Sequence, residues 1–398
     1  EVTVTETVEV DPFADSTLEG VLTSDKTLSS DKIWLIKGRV VVGDGATLTI
    51  PAGTVIKAEP GSGADASTLI IARGGKIDAK GTASKPIIMT AKADNIQADG
   101  TYPATGASLT VNSRGLWGGL LVLGKAPSSF KGDVSELQIE GIPVSDTNGL
   151  YGGSVSDDNS GTMQYISIRH GGAEIGEGNE INGLTLGGVG SGTVIDHIEV
   201  IANVDDGIEF FGGTVNASYL LVWGQGDDAL DIDQAYSGII DDAYVILEDA
   251  SDHGMEIDGP EGSAAGSFTI KNVTIDGASK NGKALGVDGE IADFRKAATG
   301  SLSNIYAFDF VKGKDVELDD DADSQSYTAG TLTFANWDIQ FAVGAEGSIS
   351  DVFVDKSSIG STFTTDAASF AEIVTAKKDD AGATNSEYTW TRWYAVNN

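Results

Sequence analysis

The sequence of 398 residues has no cysteine, only eight prolines and three histidines, and few basic residues. The lack of cysteine excludes disulfides, thiolate metal sites and cysteine nucleophiles. With 25 Lys and Arg against 60 Asp and Glu, the formal net charge is −35. A surface this acidic repels nucleic acid, anionic lipid and polyanionic sugars, so we expect cations and no nucleic acid as partners. No apolar run approaches the ~18–20 residues of a membrane span.

Glycine, by contrast, is abundant at 52 residues, and it punctuates short apolar runs such as 33–36, 47–50 and 68–71. Runs of this length that are rich in Val, Ile and Thr are typical of β-strands. Between residues 33 and 89, no stretch has apolar residues at the spacing of an α-helix. A long chain of short strands favours a solenoid, in which each coil packs only on its neighbours.

Four segments of the central region share one pattern and start at Asp206, Asp228, His253 and Lys283. Their spacing of roughly 20–30 residues is that of one solenoid coil. The third and fifth positions of each segment are apolar and predicted to point inward, and the second position is small. Another strand precedes each segment. Two strands and several turns per repeat predict an all-β fold, a right-handed parallel β-helix.

Both ends of the chain depart from this repeat. Residues 1–10 alternate Val with polar residues, which predicts a strand without a local partner and possible self-association by strand donation. Residues 366–376 begin with an N-cap Asp and predict a short capping helix, and 389–396 predict a last strand. The predicted division is an N-terminal strand and lead-in at 1–30, the parallel β-helix at 31–365, and a C-terminal helix and closing strand at 366–398.

Four motifs occur in a fixed order: TLTIPAGTVIKA, LIIARGGKIDAKGTASKPIIMT, LWGGLLVLGKAP and EINGLTLGGVGSGTVIDHIEV, the last followed by DDGIEFFGGTVNA. Over roughly residues 30–300, the sequence resembles a group of secreted right-handed parallel β-helix proteins of marine proteobacteria and Bacteroidetes. The resemblance implies an extracellular or cell-surface protein and leaves the reaction open. A chain that starts at Glu1 rather than Met fits a mature exported product.

The alignment of the repeats also places carboxylates in rows. The predicted row residues are Asp206, Glu209, Asp228, Asp231, Asp233, Glu256 and Asp258. Equivalent residues of stacked strands lie about 4.8 Å apart, where like charges repel. Structural Ca²⁺, which takes about six to eight oxygen ligands, would relieve the repulsion. Asp319, Asp321 and Asp323 have the spacing with which a calcium loop begins, so we predict Ca²⁺ there as well, with a solvated acidic face as the alternative.

An enzymatic alternative comes from GDDALDI followed by SDHGMEI, which resembles the polygalacturonase-type β-helix glycosidases. The resemblance makes Asp227, Asp228 and His253 the counterparts of their paired acids and histidine, with Asp205 as a further acid. Such a reaction needs one carboxylic acid to protonate the leaving oxygen and another to activate water. Asp252 replaces a glycine of the family motif, and the Arg-x-Lys element that grips a sugar carboxylate is missing.

A lyase and a glycan-binding module are also compatible with the sequence. A lyase would need Ca²⁺ and an arginine base, for which only Arg169 and Arg295 lie near the relevant coils. A glycan-binding module would use exposed tryptophans, with Trp117, Trp223, Trp337, Trp390 and Trp393 as candidates. The leading prediction is a non-catalytic, calcium-binding structural or adhesive protein that forms a matrix or filaments. Possible partners are a second copy and a cell-surface glycan.

Overall fold

The computed structural model describes residues 13–98, 107–175, 180–277 and 289–398. Within these ranges, 24 strands join one continuous parallel sheet system that winds as a solenoid, and two further short strands form an antiparallel pair. The predicted all-β parallel β-helix is confirmed. Residues 1–10 lie outside the described residues, so strand donation through them stays a prediction, as does the division of the chain at residues 30 and 365.

The strands, numbered in chain order, are β1 Thr17–Leu22, β2 Lys26–Thr27, β3 Ile33–Val42, β4 Thr47–Pro51, β5 Val55–Ala58, β6 Thr68–Ile71, β7 Lys76–Lys80, β8 Ile87–Ala91, β9 Leu120–Leu123, β10 Leu137–Gln138, β11 Leu150–Tyr151, β12 Gly161–Arg169, β13 Leu184–Gly187, β14 Val194–Ile201, β15 Ile208–Phe211, β16 Asn216–Trp223, β17 Leu230–Asp233, β18 Ile239–Ile246, β19 His253–Asp258, β20 Phe268–Asp276, β21 Glu290–Arg295, β22 Gly300–Phe310, β23 Val316–Leu318, β24 Leu332–Phe341, β25 Phe353–Asp355 and β26 Ala371–Ile373. The helices are α1 Asp321–Thr328, α2 Phe363–Asp366 and α3 Arg392–Asn397. None of the described helices is long and apolar enough to cross a membrane.

The solenoid has three faces, each a stack of parallel strands. Face 1 contains β2, β4, β7 and the first halves of the long strands β12, β14, β16, β18, β20, β22 and β24. Face 2 contains β5, β8, β26 and the second halves of the same long strands. Face 3 begins with the ends of β1 and β3 and continues through β6, β9, β13, β15, β17, β19, β21, β23 and β25.

Faces 1 and 2 meet at a corner made by one residue in each long strand. These corner residues all have positive φ, and they are Tyr165, His197, Tyr219, Asp242, Asn272, Asn304 and Asn336. The left-handed conformation is uncommon except for Gly and, among the others, for Asn, Asp and His. Asn304 Nδ2 donates a hydrogen bond of 2.8 Å to Asn272 Oδ1, so successive coils are linked at the corner.

The core lies inside the three faces and is filled by residues that alternate along the strands. Ile208 and Phe210 of β15 and Ile232 of β17 are at most 1% exposed, as the repeat predicts. The ring of Phe210 lies 4.8 Å from that of Tyr236. Burial of such side chains in every coil supplies most of the stability of a solenoid, because each contributes about 1.5–3 kcal/mol.

The predicted C-terminal elements are partly wrong. Instead of a helix over 366–376, α2 ends at Asp366, and β26 follows as a strand paired with β24. The open edge of β24 offers backbone hydrogen bonds that outweigh the local helical pattern. The predicted closing strand is a helix, α3, whose N-cap Thr391 accepts a hydrogen bond from the Tyr394 amide.

Residues 377–398, here called the strap, run back along the outside of faces 1 and 2 instead of adding a coil. Gly382 N donates to Asn304 Oδ1 at 3.1 Å, at the level of β22. Trp393 N donates to Glu199 Oε1 at 3.0 Å, at the level of β14. The strap therefore contacts a succession of coils and ties them together lengthwise.

Candidate active site

The outward side chains of face 3 form one continuous row, because the strands are in register. Five acidic residues follow one another in this row, and they are Glu209, Asp231, Glu256, Asp293 and Glu317. The first three were predicted from the repeat. Asp293 and Glu317 were missed because the alignment took the segment at 283–288, which lies outside the described residues, as the fourth repeat. The strand in register with β19 is β21, which pairs Glu290 with His253.

The same row is apolar at its N-terminal end, where it is formed by Val41, Ile70 and Leu121. Residues 127–159, here called the wall, cover this apolar part with the rings of Phe130 and Tyr151. The wall is an excursion from the coil, whose strands resume at β12. The acidic part of face 3 begins where the wall ends and forms a floor beside it, in which Glu209, Asp293 and Glu317 are 6% exposed and Asp231 and Glu256 are half-buried.

At the start of the face 3 strands, buried polar side chains link one coil to the next. Asp206 Oδ1 accepts the Asp228 backbone N–H at 3.0 Å, and Asp228 Oδ1 accepts that of His253 at 2.8 Å. Asn182 Oδ1 accepts the Asp206 N–H at 3.2 Å in the preceding coil. Each buried backbone amide needs a hydrogen-bond acceptor. The side-chain oxygens of Asp206 and Asp228 supply these acceptors, so both residues have a structural role.

Asp205 and Asp227, one residue earlier in each coil, accept no such backbone hydrogen bond from the part of the chain that the structure describes. Carboxylate oxygens of Asp205, Asp206 and Asp227 lie within 4.8 Å of one another. Burial, followed by repulsion from Glu140 and Asp227, raises the pKa of Asp205 to about 7. Partial desolvation of its carboxyl group, followed by repulsion from Asp228 and Asp252, raises the pKa of Asp227 to about 6. Both groups therefore change protonation state near neutral pH.

His253 lies beside these acids, and its Nδ1 is 2.8 Å from Asp228 Oδ1 and 3.8 Å from Asp252 Oδ2. Burial lowers the pKa of His253, but the hydrogen bond and charge of Asp228 outweigh this and raise the pKa to about 9. The imidazole is therefore a cation at neutral pH. Asp205, Asp227, Asp228 and His253, predicted as the enzymatic alternative, are brought together on adjacent coils.

The predicted calcium ligands separate into different environments. Asp206, Glu209 and Asp231 offer oxygens within 4.8 Å of one another. Asp258 instead accepts from Arg295 Nε at 2.8 Å and from Lys296 Nζ at 2.5 Å, at the opposite end of the strands. Asp233 lies at that end as well, whereas Glu256, in contact with Arg295, belongs to the acidic row beside Asp231. Ca²⁺ at these predicted residues stays a prediction.

Within the stretch 319–323, Asp320 is the N-cap of α1, which begins at Asp321, and Ca²⁺ at Asp319, Asp321 and Asp323 stays a prediction. Asp321 Oδ1 accepts from the Ser358 amide at 2.7 Å, and Asp323 is fully buried and accepts from the Ala298 amide at 2.8 Å. The two carboxylates therefore serve different backbone amides. Asp319 lies instead near Asp293 and Glu317 of the acidic row.

The tryptophans offer little surface for stacking on sugars. Four of the five candidates are buried, with Trp117 and Trp337 at 0% exposure, Trp390 at 5% and Trp223 at 9%. Trp393 is half-buried and packs against the ring of Tyr244 at 4.9 Å. These side chains cover corners and coils, so they do not support a glycan-binding module.

The raised carboxyl pKa values predict that stability falls as pH rises. The pKa values are about 7 for Asp205 and about 6 for Asp227 and Asp233, above the ~3.9 of an unfolded Asp. A group whose pKa is higher in the folded state stabilises fully below the unfolded pKa, and this contribution disappears as pH rises through the folded pKa. We expect the free energy of unfolding by guanidinium chloride to be larger at pH 5 than at pH 8. Asp227→Asn should flatten this slope, and a rise in stability between these pH values would contradict it.

The structure therefore combines a parallel β-helix with an acidic row on one face and with paired acids and a histidinium at one edge of that face. The chain belongs to the family described as pectate-lyase-like beta helix domain, whose model matches residues 20–395. The search of curated proteins finds no match. Among solved structures, the catalytic unit of a thermostable GH87 alpha-1,3-glucanase from Streptomyces thermodiastaticus strain HF3-3 matches at 13% identity and a TM-score of 0.26. This match covers 86% of the chain and 64% of that structure.

The leading prediction of a non-catalytic structural or adhesive protein is therefore wrong, while its calcium binding stays a prediction. Membership of a pectate-lyase-like family favours the alternative, a polysaccharide-active β-helix enzyme. The acidic rows that suggested a stiffening role also contain paired acids whose pKa values lie near neutrality, which is typical of acid–base sites.

Proposed function

We propose that this protein cleaves polysaccharides by acid–base hydrolysis on face 3, with Asp205 and Asp227 as the catalytic residues. The observation that carries the proposal is the pair of outward carboxyl groups on adjacent coils, within 4.8 Å of Asp206 and of each other. Their pKa values of about 7 and about 6 leave one protonated while the other is ionised. Unequal protonation of two neighbouring carboxyls is what acid and base roles require.

Asp205, with the higher pKa, is the general acid that gives its proton to the glycosidic oxygen as the bond to the anomeric carbon breaks. Asp227, which is the more exposed of the two, is the base that accepts a proton from the water attacking that carbon. The water oxygen forms the new bond, and proton exchange with solvent restores both carboxyls. General acid–base catalysis of this kind contributes about 10²–10⁴-fold to the rate.

Asp228 and His253 are positioning residues in this proposal. Asp228 is only 3% exposed, and it receives hydrogen bonds from both the amide and the ring Nδ1 of His253. This pair fixes the backbone from which Asp227 projects. The positive charge of His253 also lowers the pKa of Asp227, so it helps to separate the protonation of the two catalytic acids.

The substrate class that fits best is a neutral polysaccharide. The protein has a net charge of −35, and the floor of the site is a row of carboxylates, so a polyuronate would be repelled. Arg295, a candidate lyase base, is in contact with Glu256, Asp258 and Asp293. An extracellular or cell-surface location is part of the proposal, because an enzyme of this kind would reach structural polysaccharides outside the cell.

The test is a panel of neutral glucans, xylans, mannans and galactans together with polygalacturonate. New reducing ends measure hydrolysis, and ultraviolet absorbance of unsaturated ends measures elimination. We expect reducing ends from at least one neutral polysaccharide, and their loss in Asp205→Asn. Asp78→Asn, a half-exposed acid of β7 on face 1 that pairs with Lys80 at 2.6 Å, is the matched control and should keep full activity. Cleavage of polygalacturonate alone, with unsaturated ends, would count against the proposal.

A further inference from the structure

A second group of acids lies farther along face 3, beyond the proposed catalytic residues. Glu290 at the start of β21, Asp315 just before β23 and Glu317 within β23 offer oxygens that all lie within 4.8 Å of one another. Glu317 also belongs to a neighbouring group with Asp293 and Asp319. The register places these residues next to one another, because β21 and β23 are adjacent parallel strands.

Buried oxygen atoms at this position have no hydrogen-bond donor. Asp315 is 7% exposed, and its Oδ1 atom is buried without a hydrogen-bond partner among the described residues. Glu290 Oε2 is buried in the same way, whereas Glu317 Oε2 contacts Lys356 Nζ. A buried carboxylate oxygen without a donor is unfavourable unless a cation is near. This observation is independent of the clustering, and it points to a ligand between the three side chains.

The basic side chains nearby do not form ion pairs with all of these carboxylates. Lys356 contacts Glu317, and Arg295 Nε lies 3.8 Å from Asp293 Oδ2. Within the described ranges, neither Asp315 nor Glu290 has an ion pair with Lys or Arg closer than 4.0 Å.

We propose that Glu290, Asp315 and Glu317 hold a divalent cation of the Ca²⁺ type. The donors are carboxylate oxygens, and the protein contains no cysteine, so the group favours a hard cation over Zn²⁺. Three carboxylates from adjacent strands supply part of the coordination shell of Ca²⁺, which tolerates irregular geometry. The site differs from the proposed catalytic acids, and it does not depend on the proposed hydrolysis.

The experiment is isothermal titration of the EDTA-treated full chain with CaCl₂ at pH 8, without any carbohydrate. The wild-type protein is expected to bind Ca²⁺, and Asp315→Asn, which keeps the shape of the side chain, is expected to bind one ion fewer or to bind it at least about tenfold more weakly. Asp44→Asn removes one charge at an exposed position with 81% of its side chain accessible, and it should bind as the wild type does.

Glu290→Gln provides a second variant, because Glu290 is only half-buried and its replacement should leave the fold intact even if Asp315→Asn does not. It should weaken Ca²⁺ binding in the same way. If the wild type takes up no Ca²⁺ at millimolar concentration, or if both variants bind as many ions with unchanged affinity, the proposal is wrong. In that case the carboxyls share a proton, and the variants would change only the pH dependence of stability.

Discussion

Replacing Asp227 by Asn is expected to lower kcat on a neutral polysaccharide by about 10²–10⁴-fold while leaving the fold intact. Asn has nearly the same shape but cannot accept a proton from water. The side chain projects from a residue that is exposed overall, so its loss of charge does not leave a buried group without a partner. Far-ultraviolet circular dichroism should match that of the wild type, and the Tm should be no lower, which separates loss of chemistry from loss of structure.

The pH dependence of the same enzyme gives a sharper result. With a base of pKa about 6 and an acid of pKa about 7, the wild type should show a narrow bell-shaped profile with its optimum between these values. Residual activity of Asp227→Asn should lack the rise on the acidic side, and that of Asp205→Asn should lack the fall on the alkaline side. Asp78→Asn should keep both limbs. A profile unchanged in the two catalytic variants would show that other groups carry the reaction.

Replacing Asp242 by Ala is expected to lower the free energy of unfolding by about 3–5 kcal/mol. Asp242 is 4% exposed, and it accepts hydrogen bonds from the Thr384 amide at 3.1 and 3.0 Å and from the Tyr388 hydroxyl at 2.6 Å. Removal of the carboxylate leaves these donors without a partner where the strap meets β18. Ala is also disfavoured at the φ of 68° that this corner requires.

Asp242→Asn is the matched control, because Asn tolerates positive φ and keeps one acceptor oxygen. We expect it to lose roughly half as much stability as the alanine variant. Guanidinium chloride denaturation measures both values, and limited proteolysis should show earlier cleavage within residues 377–398 for the alanine variant. Equal stability of wild type and Asp242→Ala would mean that the strap is held elsewhere.

Much of the solenoid could be predicted from the repeated pattern because one residue in two points inward on every short strand. Ile208, Leu230 and Met255 illustrate this, since the alignment predicted them as core and they are fully buried. The one-residue corners were not predicted, because Tyr165 or His197 in the middle of an apolar run gives no sign of positive φ. The strap could not be predicted either, since its stability comes from contacts with distant coils and not from its own pattern.

The candidate site was predicted in part. The repeats identified Asp227, Asp228 and His253 as neighbours on adjacent coils, because residues at equal positions stack. They could not show that Asp228 accepts a hydrogen bond from the amide of the next coil while Asp227 faces outward, because the sequence alone does not distinguish two adjacent Asp residues. Asp293 and Glu317 were missed because the true fourth coil starts at Glu290, and the segment at 283–288 has the same local pattern.

The position of the strap also affects the order in which the chain can fold. Its contacts join residues far apart in sequence, and Arg392 to Leu109 spans 283 positions. Such contacts cannot form until the coils between them exist, so docking of the strap is expected to be the last event after synthesis. Interactions made after the transition state act mainly on the unfolding rate. The strap would therefore serve as a kinetic latch, which slows the opening of the β-helix more than it speeds its assembly.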